Sequence, residues 1–144
     1  MDRQSPWGRQ LSSLRRRAKS NLGQGLVEFA LLLPILIMLT VGALDFARAF
    51  FSLQVVTNAS REGARTGVVL GATSAQVNAA MNAVLANGGL TATPSYTVVG
   101  VDGAVTGTQT SVTILYPFQT LAGSIIPGWG GTINLTQTTI MRHE

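Results

Sequence analysis

A long uncharged stretch, residues 29–44, dominates the pattern of apolar and polar positions along the chain. At about 1.5 Å per residue these sixteen residues form roughly 24 Å of helix, and apolar residues on both sides extend it toward the roughly 30 Å of a bilayer core. The pattern therefore predicts a transmembrane helix over residues 24–45, continued by a helical extension outside the membrane over residues 46–72. Asp45 and Arg48 lie three residues apart and can neutralise each other near the outer boundary.

Beyond this helix the pattern predicts a small head over residues 73–144. Thr73 or Ser74 can cap a short helix with apolar residues at helical spacing, and the Asn-Gly-Gly at 87–89 ends it. Strands are predicted at 95–101, 110–116 and 132–141, with a loop or short helical turn at 118–126. A three-stranded antiparallel meander against a helix is the simplest closure. The predicted fold class is therefore α+β, with a long N-terminal transmembrane helix leading into the head.

The net charge of +4 is concentrated at the N-terminus. Residues 1–23 carry six basic side chains against Asp2, whereas the remainder carries four basic and five acidic ones. The head has no clustered basic surface for phosphate, so we expect no nucleic-acid partner. The positive-inside rule predicts a cytoplasmic leader at 1–23 and a cytoplasmic-membrane protein with its C-terminal domain outside. With no cysteine, disulfides and thiolate metal sites are excluded.

Residues suited to catalysis or metal binding are sparse. His143 is the single histidine, at a chain end that we expect to fray, and Asp102, in an Asp-Gly turn, is the only charged residue between Arg65 and Arg142. No paired carboxylates, Ser–His–Asp set or phosphate-binding glycine loop can be assembled. We therefore expect no enzyme, no cofactor, no metal and no small-molecule substrate. Trp129, set among glycines, can either anchor a partner or cover the head's own core.

Three fates are open for the apolar segment. A secretory signal peptide would be cut after Ala43 and release a soluble domain, but Glu28 and Pro34 lie at or inside its apolar region. An uncleaved single-pass anchor agrees with the length of the segment but gives Glu28 no role. The alternative is that the Glu28 carboxylate only marks the cytoplasmic end of the helix, where it stays hydrated. A processed subunit would instead be cut on the cytoplasmic side, which removes the basic leader and keeps the helix.

Several motifs resemble a known family. Residues 24–34 (QGLVEFALLLP), Asp45-Phe46 and residues 59–65 (ASREGAR) are similar to TadE-like proteins, and the closing MRHE at 141–144 is similar to that family's C-terminal ending. TadE-like proteins are pseudopilins or minor-pilin-like components of the tight-adherence (Flp) pilus machinery. Gly23, followed by Glu28-Phe29 and the apolar run, also resembles the processing site of the type IV pilin superfamily, which a prepilin peptidase cuts after the glycine.

This resemblance implies a function and a set of partners. Cleavage would fall between Gly23 and Gln24, and the new α-amine, about 6 Å along the helix from Glu28, can offset that carboxylate in its own subunit or a neighbour. The fold would be pilin-like, and the protein a structural component in pilus assembly. Its expected partners are the membrane, the prepilin peptidase, other pilus subunits and the assembly machinery, with incorporation into the pilus as one outcome. The alternative is an uncleaved single-pass membrane protein with an extracytoplasmic binding domain.

Pro34 and a stripe of small residues are candidate assembly or packing positions. Pro34 predicts a kink, which either helps the subunit leave the bilayer or has no function. The stripe recurs every four residues along the helix, at Ala59, Gly63, Gly67 and Gly71. Small side chains allow close approach, and this face packs either against another subunit or against the chain's own sheet.

Two arginines are candidates on the opposite, polar side of the helix. Arg61 and Arg65 lie four residues apart, and Glu62 lies three residues before Arg65. They form either a solvated face or an intersubunit salt-bridge site.

Overall fold

The computed structural model describes residues 6–125, 128 and 131–143, and for residues 6–22 it describes the backbone alone. The elements are α1 (Pro6–Gly67), α2 (Ser74–Asn87), β1 (Ser95–Val99), β2 (Gln109–Gln119), α3 (Leu121–Ile125) and β3 (Thr132–Arg142). This order confirms the predicted α+β class: a long apolar N-terminal helix, a short helix and a three-stranded antiparallel sheet. The chain divides into two compact units between residues 41 and 42.

The first unit contains the apolar part of α1. Its large side chains are exposed, Leu26 at 70%, Leu31 at 71% and Leu39 at 66%, and Pro34 lies inside the helix. One helix in the described chain, spanning Gly23–Gly67, is long and apolar enough to cross a membrane. Exposure of so many apolar side chains to water is unfavourable, whereas their exposure to lipid is not. The helix is therefore suited to single-pass membrane anchoring.

The second unit has a core made by the end of α1, α2 and one face of the sheet. Thr73 caps α2 as predicted: its hydroxyl accepts from the Gln76 backbone N–H, and the Gln76 side chain accepts from the Thr73 N–H. This reciprocal pair satisfies two N–H groups that the helix cannot use internally. Val77, Met81 and Leu85, one turn apart, form the buried face of α2.

The sheet has the order β1-β2-β3 and antiparallel pairing throughout. Alternate β2 side chains point into the core, and they are Val112, Ile114, Tyr116 and Phe118. β2 runs to Gln119, so the prediction of a loop from residue 118 is wrong at its first two positions. β1 ends at Val99, two residues earlier than predicted, because Gly100 turns with φ +78°, where a side chain would also overlap the Gln109 carbonyl.

Two further expectations need correction. α1 ends at Gly67, and Gly71 lies in the following turn with φ +83°, so Gly71 does not continue the helical stripe. His143 is buried at 1% exposure and does not fray. Its backbone continues the pairing beyond β3, since its N–H donates to the Thr108 carbonyl at 2.9 Å, and its Nε2 lies 2.7 Å from Thr110 Oγ1.

Candidate functional site

The predicted processing residues lie on α1 in the first unit. Gly23, Gln24, Glu28 and Phe29 are all helical and exposed. The Gln24 side-chain amide donates to Glu28 Oε1 at 3.2 Å, one helical turn away. Among the described residues, no side chain lies within 4 Å of the place where a side chain on Gly23 would begin. The carboxylate and the predicted scissile bond therefore share an open stretch of helix.

The stripe of small residues lies against the chain's own head. Ala59 is fully buried. A Cβ added to Gly63 would lie 2.7 Å from Met81 Cγ, and one added to Gly67 would lie 2.9 Å from Thr110 Cγ2. These distances are shorter than van der Waals contact, so only glycine fits without movement of its neighbours. The face is occupied by α2 and the sheet, which is the second of the two alternatives that the sequence left open.

The polar side of the same helix faces solvent. Arg65 Nε lies 4.0 Å from Glu62 Oε2, with side chains 78% and 42% exposed. Arg61 is exposed as well. An exposed pair at this distance contributes little to stability, so these residues leave a charged surface open on the helix.

A cluster of polar groups surrounds Asp45, which is 8% exposed. Its Oδ1 and Oδ2 accept from the backbone N–H groups of Leu121 and Ala122 at 2.7 and 2.8 Å. The predicted partner Arg48 lies 3.3 Å from Oδ1. Thr120 Oγ1 accepts from the Gly123 N–H at 3.1 Å, so the first three N–H groups of α3 all have acceptors. We call Asp45, Arg48, Thr120 and the α3 N-terminus the Asp45 cluster.

The sequence predicted half of this cluster. The spacing of Asp45 and Arg48 indicated their ion pair, whereas the contact with α3 joins residues more than seventy positions apart. The sequence contains only indirect evidence of the contact between Asp45 and α3. Helix N-termini favour a carboxylate, and α3 has no acidic residue in its own first turn.

The carboxylate of Asp102 accepts hydrogen bonds at the N-terminus of α2. Asp102, in the turn after β1, accepts from the Ser74 hydroxyl and, at 3.1 Å, from the Ser74 N–H. These hydrogen bonds hold the pKa of Asp102 below its ordinary value of 3.8, because they stabilise the charged form. Asp102 is thus more than the turn residue that the sequence indicated.

An open groove of about 670 Å³ lies within the second unit, between α1, the loop after α2 and β2. Its walls include Phe51, Tyr116 and Phe118, and the Arg48 guanidinium carbon lies 5.3 Å from the centre of the Phe118 ring. Apolar walls with one cation suit an apolar or anionic group of a partner. In the part of the chain that the structure describes, no three His, Asp or Glu side chains are grouped to hold a metal ion. Trp129 and Glu144 lie outside the described residues.

Comparison with known proteins bears on the first part of the chain. Residues 23–65 match the family model described as TadE-like protein. No curated protein and no solved structure matches the chain. The matched range contains the predicted processing residues, the apolar run, Asp45, and the stripe positions Ala59 and Gly63. Residues 23–65 are therefore similar to TadE-like proteins, a family associated with the tight-adherence pilus, as the motifs in this range indicated.

Proposed function

We propose that the protein is a TadE-like pseudopilin or minor pilin, a structural component in the assembly of a tight-adherence pilus, and not an enzyme. The observation that carries this proposal is the match of residues 23–65 to the TadE-like family model, a range that contains both the predicted processing residues and an exposed apolar helix. Its partners are the membrane, the prepilin peptidase and other pilus subunits. Before assembly it lies in the cytoplasmic membrane, with the N-terminus inside and the head outside.

Processing requires that the helix open at the scissile bond between Gly23 and Gln24. A helical peptide group is hydrogen-bonded and inaccessible to a protease, so cleavage needs local unwinding. Gly23 and Gly25 lie on either side of Gln24, and each helical glycine costs about 1 kcal/mol relative to alanine. The two glycines therefore weaken the helix at the proposed cut, which removes the basic leader.

Glu28 is the residue that we propose sets the register of the assembled helices. The contact from Gln24 shows that position 24 lies one turn from the carboxylate. After cleavage the backbone nitrogen of Gln24 becomes an ammonium group, which can pair with Glu28 in the same subunit or the next. A carboxylate at the centre of a bilayer costs about 2.5–3.5 kcal/mol, so an assembled bundle favours the arrangement that pairs it.

The direct test of this role is the variant Glu28→Ala. It should insert into membranes normally, as measured by resistance to carbonate extraction, and should lose co-purification with other pilus subunits. Glu62→Ala is the matched control, because it removes an exposed carboxylate from the same helix outside the apolar run. Undiminished co-purification of Glu28→Ala would count against the pairing role.

The second candidate function is an uncleaved single-pass membrane protein whose outer domain binds a partner. The groove beside Arg48 and Phe118 is the observation that favours it. In that case Phe118→Ala would abolish partner capture, while the N-terminus would remain intact.

A further inference from the structure

We propose that α3 rests on the outer surface of the lipid bilayer, so that the head contacts the membrane beside the helix that anchors it. The proposal rests on the single-pass anchoring proposed above and adds a second membrane contact. The partner is the headgroup and upper acyl region of the lipid.

The position of Asp45 along α1 sets the level of α3. Twenty residues at about 1.5 Å each cover the roughly 30 Å hydrocarbon core, and counted from Leu26 they end at Asp45. Asp45 and Arg48 are also the first charged residues after the apolar run. The Asp45 carboxylate accepts hydrogen bonds of 2.7 and 2.8 Å from the N–H groups of Leu121 and Ala122, and these hold the start of α3 beside Asp45.

The exposed surface of α3 includes large apolar side chains. Leu121 is 39% exposed and Ile125, one turn later, is 63% exposed. No residue from 119 to 131 carries a charge. In the adjoining stretch of α1, Phe46 and Phe50 are 74% and 56% exposed. Such side chains are unfavourable in water and favourable at the boundary between headgroups and acyl chains.

The charges near this surface also fit a lipid partner. Asp45 is neutralised by Arg48 and two backbone N–H groups, so α3 brings no unpaired carboxylate to the membrane. The Arg48 side chain is 49% exposed. Its guanidinium can contact lipid phosphate while its methylene groups stay in apolar surroundings.

The experiment uses fluorescent labels on single cysteines in the full chain, which has no cysteine of its own. The variant Ser124→Cys places an NBD label on exposed α3, and Ile37→Cys places one in the middle of the apolar run. Thr138→Cys is the control in the head. Its neighbour Thr139 hydrogen-bonds Ser60 at 2.7 Å, and Ser60 lies fifteen residues, about 22 Å of helix, beyond Asp45. Each variant is reconstituted alone in phosphatidylcholine vesicles with a headgroup nitroxide or a 12-doxyl lipid.

We expect the Ser124 label to lose most of its emission to the headgroup nitroxide, the Ile37 label to the 12-doxyl lipid, and the Thr138 label to neither. A Ser124 label as unquenched as the Thr138 label, with Ile37 still quenched, would overturn the lipid contact and leave the anchor standing. The exposed surface of α3 would then be open to a protein partner. An unquenched Ile37 label would instead overturn the anchoring, and this inference with it.

Discussion

At the scale of single residues, the glycines of α1 have different roles according to what surrounds them. Gly63 packs against Met81 and Val112, whereas no side chain of the described residues lies within 4 Å of a potential Cβ on Gly42. Two glycines of one helix therefore differ in whether a side chain can be tolerated. The stripe is a requirement of the head's own packing, and its four-residue spacing by itself did not distinguish this from contact with another subunit.

The Gly63 contact predicts a loss of stability when a side chain is added. Gly63→Val should lower the free energy of unfolding by about 1–3 kcal/mol, because the new side chain overlaps Met81 and crowds Val112. Gly42→Val, in open surroundings on the same helix, should be close to neutral. Denaturant unfolding of the detergent-solubilised proteins measures both. Equal stabilities of the two variants would contradict the packing described for Gly63.

The lowered pKa of Asp102 implies that the stability of the protein depends on pH in the acidic range. Since its pKa in the folded state is lowered, its contribution is fully present above the ordinary value of 3.8 and is lost as the pH falls through the folded-state pKa. Asp102→Asn lacks this titration. The melting temperature of the wild type should exceed that of Asp102→Asn at neutral pH, and the difference should shrink below pH 3.8. A difference that stays constant with pH would contradict the capping role.

At the scale of elements, local sequence signals were sufficient to predict α2 but not to predict where β2 ends. The capping pair of Thr73 and Gln76 and the apolar spacing of α2 are contained within one segment, so the sequence predicted that helix well. β2 continues through Pro117, although proline has no N–H to donate in a central strand. β1 pairs only as far as Leu115, so β2 has one neighbour at Pro117, and the missing donor costs no pairing with β1.

The cluster around Asp45 could not be predicted by the same means. Its ion pair with Arg48 is local, but its hydrogen bonds from the N–H groups of Leu121 and Ala122 join distant parts of the chain. The burial of His143 has the same character, since it depends on pairing with Thr108 and Thr110. Contacts of this kind depend on the assembled tertiary structure, which periodicity and capping rules do not describe.

Removal of the Asp45 side chain should destabilise α3 locally. Asp45→Ala leaves the N–H groups of Leu121 and Ala122 without their acceptor, at a cost of about 1.5–3 kcal/mol for hydrogen bonds to a charged group. Amide hydrogen exchange should accelerate in α3 and change little in β2. Arg48→Ala is the control, because it keeps both backbone hydrogen bonds. Unchanged exchange in α3 would contradict the role given to Asp45.

At the scale of the whole molecule, membrane anchoring and head folding are separate tasks of one helix. The apolar part of α1 leaves its large side chains exposed, while the part from Val55 to Ala64 supplies buried residues to the core of the second unit. The family match covers both parts of the helix and stops before α2 and the sheet. The proposed function therefore depends most on the processing segment at the start of that match.

The mature N-terminus of the protein, determined by mass spectrometry after isolation from its native membranes, tests this proposal most directly. We expect a chain that begins at Gln24, with the basic leader removed and Glu28 at the fifth position. A chain that begins at Met1 would contradict prepilin processing and favour the uncleaved membrane protein. A chain that begins at Leu44 would make the apolar helix a discarded signal and would contradict the account of assembly altogether.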